Sequence, residues 1–320
     1  IYDIPGTDVF GDPLPKVNVT IEGIHFVDFY TVAIFVAASE GLRVSDCKFT
    51  RPQLAFSGSE PHPIGIGIQV GRPPAAEDVD AVRAAFGLEP LNLGAEEVTG
   101  IVEITNNEFD GQGISYEPMR NDDGELVMGG DGSPILPDEV PGDAVFFDGL
   151  WYTGMSNAIN HMGYTTADYL IADNDIGGTL STGIGTIENG GSWTVVDNAV
   201  DASPFPSWYS SGIGMVGVHG PVVENNEVTA TGDGIWAWFV DGGTFVGNEV
   251  TMRPSDAPMA AMLMGFASNV NVIHNELSGE STYGLALWFG EGNTLTKNRL
   301  RDIAGTAVIV DSDFNTFTKN

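Results

Sequence analysis

Short runs of alternating apolar and polar residues recur along the chain, and most of them end at an asparagine. The pattern reads apolar, any, small or polar, Asn, any, apolar, as in Ile104-Thr-Asn-Asn-Glu-Phe109. From Asn174 onward the asparagine returns at steps of 24, 28, 22, 27, 23 and 22 residues. A period in the twenties that is carried by short strands predicts a solenoid with one coil per repeat. The repeat asparagines are Asn107, Asn174, Asn198, Asn226, Asn248, Asn275, Asn298 and Asn320.

These asparagines predict both a turn and a ladder. Asparagine tolerates the left-handed backbone conformation that a tight two-residue turn needs. Its side-chain amide also reaches the equivalent amide one coil away, about 4.8 Å along the axis of a parallel sheet. We therefore expect a hydrogen-bonded asparagine ladder that runs through the turns of successive coils.

A second strand precedes each asparagine by ten to fifteen residues, as in Gly212-Ile-Gly-Met-Val216 and Gly284-Leu-Ala-Leu-Trp288. The alternation in these segments is typical of strands with one buried face. Each coil is thus predicted to contain this strand, a short turn, a second strand that ends at the asparagine, and a third strand after it. The expected fold is an all-β solenoid domain over residues 1–320.

The repeat resembles the parallel β-helix repeat family, the right-handed β-helix proteins related to pectate lyases and to the NosD-type repeat. The resemblance covers nearly the whole chain outside two insertions. It implies a right-handed single-stranded parallel β-helix. The family includes polysaccharide lyases, hydrolases, epimerases and proteins without a known activity, so the resemblance implies no single function.

Two gaps in the repeat predict insertions, because Cys47 and Asn107 are 60 residues apart and Asn107 and Asn174 are 67 apart. The first excess, 71–98, predicts a short helix that begins near a proline and ends near a glycine. The second, 117–143, is rich in Gly, Asp and Pro and predicts a long loop. Both chain ends fall within a repeat, so we expect a fragment of a longer solenoid.

The charge of the chain excludes some partners. Acidic residues outnumber basic ones 44 to 12, for a formal net charge of -32, which argues against nucleic acid as a ligand. No apolar run is long enough to span a membrane, so membrane insertion is not expected. The single cysteine excludes an internal disulfide. The acidity is typical of a halophilic or marine secreted protein, and we expect an extracellular or cell-surface location.

The strand that precedes each turn predicts an apolar outer face. Its inward positions include Ile213, Ile235 and Ala261. The outward positions are predicted to be Ile187, Val216, Trp238, Met264, Trp288, Val310 and, earlier, Phe35, with Trp236 and Met262 in a second outward column. An apolar stripe on an outer face is covered by other chain or binds a ligand.

The resemblance implies a role for this stripe. In the lyase-like members of the family the corresponding sheet forms the floor of a sugar groove, so Trp236, Trp238 and Trp288 are the candidate substrate-binding residues. The alternative is that an insertion or another subunit covers the stripe.

Four candidate catalytic residues, His219, Asp241, Glu291 and Asp313, lie three residues beyond the outward column. Carboxylates from adjacent coils are about 5 Å apart at the backbone. Such pairs suit glycoside hydrolysis or a Ca²⁺ site, although solvated turn acids are the alternative in so acidic a protein. Arg253 is the fifth candidate, because the resemblance to pectate lyases implies an Arg or Lys base.

Calcium is the candidate cofactor. The stretch Asn121-Asp-Asp-Gly-Glu125 resembles half of a calcium loop and offers Asp122, Asp123 and Glu125 as metal ligands. It lacks the spacing of a full ligand set.

These observations lead to two hypotheses. The first is a secreted β-helix protein that binds or processes an extracellular polysaccharide on its Trp-lined sheet and, if it is an enzyme, is a polysaccharide lyase or glycoside hydrolase. The second is a non-catalytic surface or fibre-forming scaffold that uses the stripe as a subunit interface. The expected partner is therefore either a polysaccharide or a second copy of the chain.

Overall fold

The fold was analysed in a computed structural model of the chain. The structure describes residues 2–3, 18–29, 32–36, 39–50, 65–71, 98–111, 114–121, 123–129, 134–135, 137, 145–147, 150–153, 155–202, 211–254 and 259–320. The helix predicted within 71–98 falls on residues outside this part of the chain. The described part contains no helix that is long and apolar enough to cross a membrane.

Three parallel sheets, here named A, B and C, wind around one core, and each coil adds a strand to each sheet in turn. Sheet A contains β1 (Tyr2–Asp3), β4 (Val32–Val36), β7 (Ile66–Val70), β13 (Met155–Thr165), β16 (Thr179–Asn189), β19 (Ser211–Val216), β22 (Asp233–Trp238), β25 (Ala260–Gly265), β28 (Tyr283–Glu291) and β31 (Thr306–Asp313). Sheet B contains β2 (Asn18–Glu22), β5 (Gly41–Ser45), β8 (Ile101–Thr105), β14 (Asp168–Ala172), β17 (Trp193–Val196), β20 (Val222–Glu224), β23 (Thr244–Val246), β26 (Asn271–Ile273), β29 (Thr294–Thr296) and β32 (Thr316–Thr318). Sheet C contains β3 (His25–Val27), β6 (Lys48–Thr50), β9 (Glu108–Asp110), β15 (Asp175–Gly177), β18 (Ala199–Ala202), β21 (Glu227–Ala230), β24 (Glu249–Met252), β27 (Glu276–Gly279) and β30 (Arg299–Arg301). The predicted right-handed parallel β-helix is confirmed.

A small antiparallel sheet flanks the segment for which a loop was predicted. Strands β10 (Ile114–Tyr116), β12 (Leu150–Thr153) and β11 (Val145–Phe147) pair in that order and enclose most of the segment 117–143. The sheet thus joins the two ends of the predicted loop, and the repeat pattern did not reveal it.

The core is built from columns of like residues, one from each coil. In sheet B the register places Val195, Val223, Phe245, Val272 and Leu295 above one another, and all five are buried. Burying apolar surface in this way contributes about 25 cal/mol for each Å² removed from water. Because every coil repeats the same column, apolar burial stabilises the solenoid along its whole length.

The predicted asparagine ladder is confirmed at the corner between sheets B and C, here named the B–C corner. Each side-chain amide from Asn107 to Asn298 donates to Oδ1 of the next ladder asparagine, at 2.8–3.0 Å. The same Oδ1 also accepts the backbone N–H of the ladder asparagine one coil earlier. Each ladder amide donates in addition to a backbone carbonyl of that earlier coil. Buried polar groups that are satisfied in this way cost little to bury.

The conformational role expected of these asparagines is wrong. The left-handed conformation, with φ near +55°, belongs to the residue before each ladder position. The ladder side chain must point into the solenoid to reach its neighbour, so the preceding exposed residue makes the bend instead. These bend residues are Asp46, Asn106, Asp173, Asp197, Asn225, Gly247, His274, Lys297 and Lys319.

The register of sheet A differs from the predicted one in β25. Ile235 pairs with Met262, so the expectation that Ala261 continues the inward column is wrong by one residue. Met262 and Met264 are buried in the core, and their predicted outward placement is also wrong. The segment 260–264 is apolar at every position, so no alternation shows which face points inward, and a one-residue slip exchanges the faces.

Val310 and Phe35 also lie in other columns than predicted. Val310 pairs with Leu287 of the core column, so Asp311 takes the outward position. Phe35 pairs with Gln69 and falls in the second outward column of sheet A. Both differences again come from strands in which neighbouring residues are equally apolar.

A polar cluster interrupts the apolar core near β13 and β16. His161 shares hydrogen bonds with Thr186 (Nδ1 to Oγ1, 2.8 Å) and Thr165 (Nε2 to Oγ1, 3.3 Å). The rings of Tyr169 and Trp193 lie beside the imidazole, with centroids 5.0 and 6.1 Å away. Burial lowers the pKa of His161 to about 4, so the imidazole is neutral inside the solenoid at physiological pH.

Replacing a central ladder residue tests how much the ladder contributes. Asn248→Ala removes the acceptor of Asn226 and the donors to Val223 and Asn275. Unsatisfied buried groups are costly, so we expect the free energy of unfolding to fall by about 3 kcal/mol. Asn271→Ala, at an exposed position of the next coil, is the matched control and should change it little. Equal denaturation midpoints for the two variants would contradict this role.

The buried imidazole predicts a pH-dependent stability. Between pH 6.5 and 4 the unfolded chain protonates His161 while the folded protein does not, so stability falls by up to about 3 kcal/mol as the pH drops through this window. Asp233, whose pKa is raised to about 6, titrates in the same window with the opposite effect on stability. The test therefore compares the protein with its His161→Gln variant, both carrying Asp233→Asn. The free energy of unfolding of the His161 protein, relative to that of His161→Gln, should fall over this range. A constant difference would show that folding does not change the pKa of His161 and would contradict this prediction.

Candidate functional site

The outer face of sheet A carries an apolar cluster that is separate from the core. Ala260, Leu263 and Ala286 are buried there beneath a layer of half-buried side chains. That layer consists of Trp236, Trp238, Tyr283, Trp288 and Ile309. The predicted apolar outer face is therefore present, and within the described part of the chain tryptophans form much of its cover.

Trp238 lies against the backbone of the next coil. Gly265 is its register partner in β25, and a Cβ placed there would be 2.8 Å from Cδ2 and Cε3 of the indole and 3.0 Å from Cε2. Two of these are the atoms shared by the fused rings, so the indole turns its face to the glycine. The absence of a side chain at this position lets the ring lie flat on the sheet.

Trp236 also lies against a glycine, in the opposite direction along the axis. A Cβ on Gly214, its partner in the preceding coil, would lie 2.3 Å from Nε1 and 2.4 Å from Cε2 of the indole. Trp288 follows Gly265 in the column of Trp238, and its ring meets Trp238 edge to face with centroids 6.4 Å apart. The three predicted tryptophans are thus brought together, and two glycines position two of them.

Three phenylalanines form a second aromatic feature at the corner between sheets A and B, here named the A–B corner. Phe239, Phe266 and Phe289 each follow a strand of sheet A and are 57%, 41% and 59% exposed. Their rings stack along the axis, with centroids 4.8 and 5.1 Å apart. We refer to these three residues as the Phe ladder. The sequence analysis missed the Phe ladder. A phenylalanine two residues before the candidate acids Asp241 and Glu291 was a usable signal.

The backbone of the Phe ladder is unusual. All three phenylalanines have a left-handed conformation, with φ of 55°, 49° and 58°, at a position that Gly217 occupies in the preceding coil. A bulky residue in this region costs about 1–2 kcal/mol. The stacking of the rings offsets part of this cost, but more than two fifths of the surface of each phenylalanine remains exposed to water.

The predicted acidic column lies two residues beyond the Phe ladder. His219 pairs with Asp241, Asp241 with Ser268, and Glu291 with Asp313, so these residues follow one line along the corner. Asp241 accepts a hydrogen bond from Nδ2 of Asn269 at 3.0 Å. The structure thus brings four predicted catalytic residues into one column, with Ser268 between them.

A short second asparagine ladder holds the A–B corner behind this column. Oδ1 of Asn293 accepts the backbone N–H of Val270 at 2.9 Å, and its amide donates to the carbonyl of Ala267 at 2.9 Å. Asn315 accepts from the backbone of Asn293 in the same way at 3.0 Å. These bonds fix the turns that present the outer carboxylates.

Arg253 does not join the other candidates. It follows β24 at the corner between sheets C and A and forms an ion pair with Asp201 at 3.4 Å. The acidic column lies at the far edge of sheet A, and a six-residue strand such as β22 spans about 20 Å.

One carboxyl of the outer face is buried. Asp233 begins β22, and its Oδ1 accepts the backbone N–H of Ala260 at 3.0 Å. Burial raises the pKa of this carboxyl to about 6. A raised pKa in a carboxyl is typical of functional sites but also of structural burial.

An open cleft of about 480 Å³ joins the Phe ladder to the acidic column. It is lined by Ser268, Phe289, Gly290, Glu291, Asp311, Ser312 and Asp313. The cleft therefore places Phe289 beside the carboxylates of Glu291, Asp311 and Asp313.

The candidate calcium segment forms a tight turn. Oδ1 of Asn121 accepts the backbone N–H groups of Asp123 (3.1 Å) and Glu125 (2.8 Å), and the Asn121 amide donates to Glu125 at 3.3 Å. The third predicted ligand, Asp122, lies outside the described residues. Across the described chain, no group of three or more His, Cys, Asp or Glu side chains converges as a metal site.

Comparison with solved structures found likenesses at low sequence identity. The enzymatically active domain of Bacteriophage CBA120 tailspike protein 2 is 10% identical, with a TM-score of 0.42 over 93% of this chain and 42% of that one. The DFA-IIIase from Arthrobacter chlorophenolicus A6, in complex with GF2, is 13% identical, with a TM-score of 0.42 over 98% of this chain and 86% of the other. The Streptococcus pneumoniae surface protein and adhesin PfbA is 10% identical, with a TM-score of 0.26 over 93% and 92% of the two chains. A comparison with curated protein sequences gave no match.

The family assignment comes from the sequence. The family model described as "Periplasmic copper-binding protein (NosD)" matches residues 140–320, which is more than half of the chain. The matched region contains the ladder from Asn174 to Asn320 and the aromatic part of sheet A. The chain belongs to the NosD family of right-handed β-helix proteins.

Proposed function

We propose that the outer face of sheet A binds an extracellular polysaccharide. The observation that carries this proposal is the placement of the Trp238 indole face over Gly265, with Trp236 and Trp288 in the same outer cluster. A pyranose ring has an apolar face of C–H groups, which packs against the face of an aromatic ring as apolar surface does. The indole of Trp238 is placed to offer such a face, and Trp288 meets it edge to face.

The acidic column supports processing as a second step of this proposal. Carboxylates two coils apart, such as Asp241 and Glu291, have backbones about 10 Å apart, and Glu291 and Asp313 in adjacent coils are about 5 Å apart. Glycoside hydrolases use carboxylate pairs about 5–10 Å apart as acid and base or as acid and nucleophile. If the protein is an enzyme, it is of the glycoside hydrolase or polysaccharide lyase type, with His219 as an auxiliary proton carrier.

The alternative function is a scaffold that associates through the same face. Its supporting observation is the exposure of the Phe ladder, since contiguous apolar surface is typical of protein interfaces. Under this alternative the face is buried between two copies of the chain and no sugar competes for it.

Two further proposals concern calcium and location. Asp122, Asp123 and Glu125 are the ligands that we propose for a Ca²⁺ ion. Ca²⁺ takes carboxylate and carbonyl oxygens, which this turn offers. The family description is periplasmic, which supports a location outside the cytoplasm, and we propose the cell surface or the extracellular medium.

Copper, which the family description names, does not fit the described residues. Copper sites in proteins use imidazole, thiolate and thioether ligands that converge on one point. The described histidines lie apart: His25 in sheet C, His161 in the core, His219 at the A–B corner and His274 at the B–C corner. The thiol of Cys47 is buried and donates to the carbonyl of Ser45. We therefore derive no step that involves copper.

The glycines beneath the indoles allow a test that removes no aromatic ring. Gly265→Ala should tilt Trp238 off the sheet and weaken polysaccharide binding about tenfold, close to the effect of Trp238→Ala. Gly185→Ala in the second outward column is the matched control, because a Cβ there meets only Oδ1 of Asn160 and Cγ2 of Thr182, both at 3.3 Å. Affinity electrophoresis against neutral and acidic polysaccharides, with product release measured in parallel, provides the readout.

Two results would contradict the proposal. Failure of the folded wild-type protein to bind any polysaccharide of the panel, together with a concentration-dependent dimer in sedimentation, would support the scaffold. Binding that is equal in Gly265→Ala, Trp238→Ala and the control would place the sugar on another face.

A further inference from the structure

The Phe ladder has a cost that its own packing does not explain. Each of Phe239, Phe266 and Phe289 takes a left-handed backbone conformation, which glycine accepts without strain and which Gly217 takes one coil earlier. Burial does not offset the strain, because the three side chains remain 57%, 41% and 59% exposed. Strain of this kind is typical of sites where a ligand contacts the strained residue.

The charge around the ladder is of one sign. Asp241, Glu291, Asp311 and Asp313 lie on the strands of sheet A or in the turns that follow them. The described lysines and arginines all lie elsewhere, in sheets B and C, at the B–C and C–A corners or in the segment between β10 and β11. They are Arg43, Lys48, Arg120, Arg253, Lys297, Arg299, Arg301 and Lys319. No described Lys or Arg therefore neutralises the carboxylates beside the aromatic rings.

We propose that the Phe ladder and the carboxylates beside it bind protonated amino groups of an amino-sugar polymer. This inference rests on the proposed function, because it names the class of polysaccharide that crosses the tryptophans. Aromatic rings attract cations through the negative potential of their faces, and an ammonium group gains further from adjacent carboxylates. The cleft at Phe289, Glu291, Asp311 and Asp313 provides both contacts in one place.

The same charges argue against other polymers. A uronic acid or sulfated polysaccharide would bring its own anions to a corner where the described residues include no Lys or Arg, in a chain of formal net charge -32. A neutral glycan would gain from the tryptophans but not from the acidic column. Of these classes, a polymer with free amino groups is the one that uses the whole aromatic and acidic surface.

Three oligosaccharides with the same linkage test this inference, because they differ only at carbon 2. The β-1,4-linked hexamers of glucosamine, N-acetylglucosamine and glucose carry an ammonium, an acetamide and a hydroxyl there. We expect the wild-type protein to bind the glucosamine hexamer at least tenfold more tightly than the other two at low salt, measured by calorimetry. The preference should shrink as salt is raised, since ions screen exposed charges.

Two sets of substitutions locate the preference. Glu291→Gln, Asp311→Asn and Asp313→Asn together should lower the affinity for the glucosamine hexamer at least tenfold. Phe266→Asn should also lower it without loss of stability, because asparagine tolerates the left-handed conformation. The control triple Glu227→Gln, Glu249→Gln and Asp302→Asn changes net charge equally on sheet C and in the turn after it, and it should keep the preference.

The outcomes separate this inference from the function on which it rests. Equal affinities for the glucosamine and glucose hexamers would overturn the amino-sugar assignment and leave polysaccharide binding in place. An equal loss in the control triple would also overturn it, because the preference would then follow net charge rather than this corner. Failure of all three hexamers, and of longer polymers, would contradict both.

Discussion

The requirement that each coil repeat its predecessor about 4.8 Å further along the axis governs this structure. Every polar group buried in a turn then has its equivalent directly above and below, so a buried amide is satisfied only if the next coil offers a matching acceptor. The asparagines from Asn107 to Asn320 meet that condition at the B–C corner. The repeat length varies between 22 and 28, and most of the extra residues enter at the corner between sheets C and A, which separates Ala202 from Ser211 in one coil and Ala230 from Asp233 in the next. The proposed binding surface lies on sheet A and at the A–B corner, where ten residues separate Val216, Trp238, Gly265 and Trp288 from the next ladder asparagine in each coil.

The same constraint separates what the sequence predicts from what it does not. The ladder was predictable because one residue type with one chemical role returns at a nearly constant step. The outward columns of sheet A were only partly predictable, because Met262, Leu263 and Met264 are all apolar and a one-residue slip costs nothing in the pattern. The tryptophans were identified by their type, but their orientation depends on Gly214 and Gly265, which are partners of Trp236 and Trp238 only in neighbouring coils.

Stacking of equivalent positions also explains how the aromatic surface of sheet A arises. A side chain on an outer face has little room between coils, since neighbouring backbones are about 4.8 Å apart. An indole fits only where the adjacent coil has no Cβ, and glycine occurs at those two positions. Trp288 then meets Trp238 across Gly265, although the two tryptophans are two coils apart. The surface is thus a property of four consecutive coils, from β19 to β28, and a single repeat could not form it.

At the A–B corner the fold places bulky residues in a left-handed conformation that its other corners give to smaller or more flexible ones. The B–C corner places Asp, Asn, Gly, Lys or His in the left-handed position, and all of these are exposed and mostly short or flexible. The A–B corner places Phe239, Phe266 and Phe289 there, and the stability that three glycines would retain is lost. Selection for stability alone disfavours that choice, and stacking recovers only part of the loss because the rings stay in water. The residual cost is therefore best explained by contacts that form only when a ligand covers the rings, which ties the strain of this corner to the carboxylates beside it.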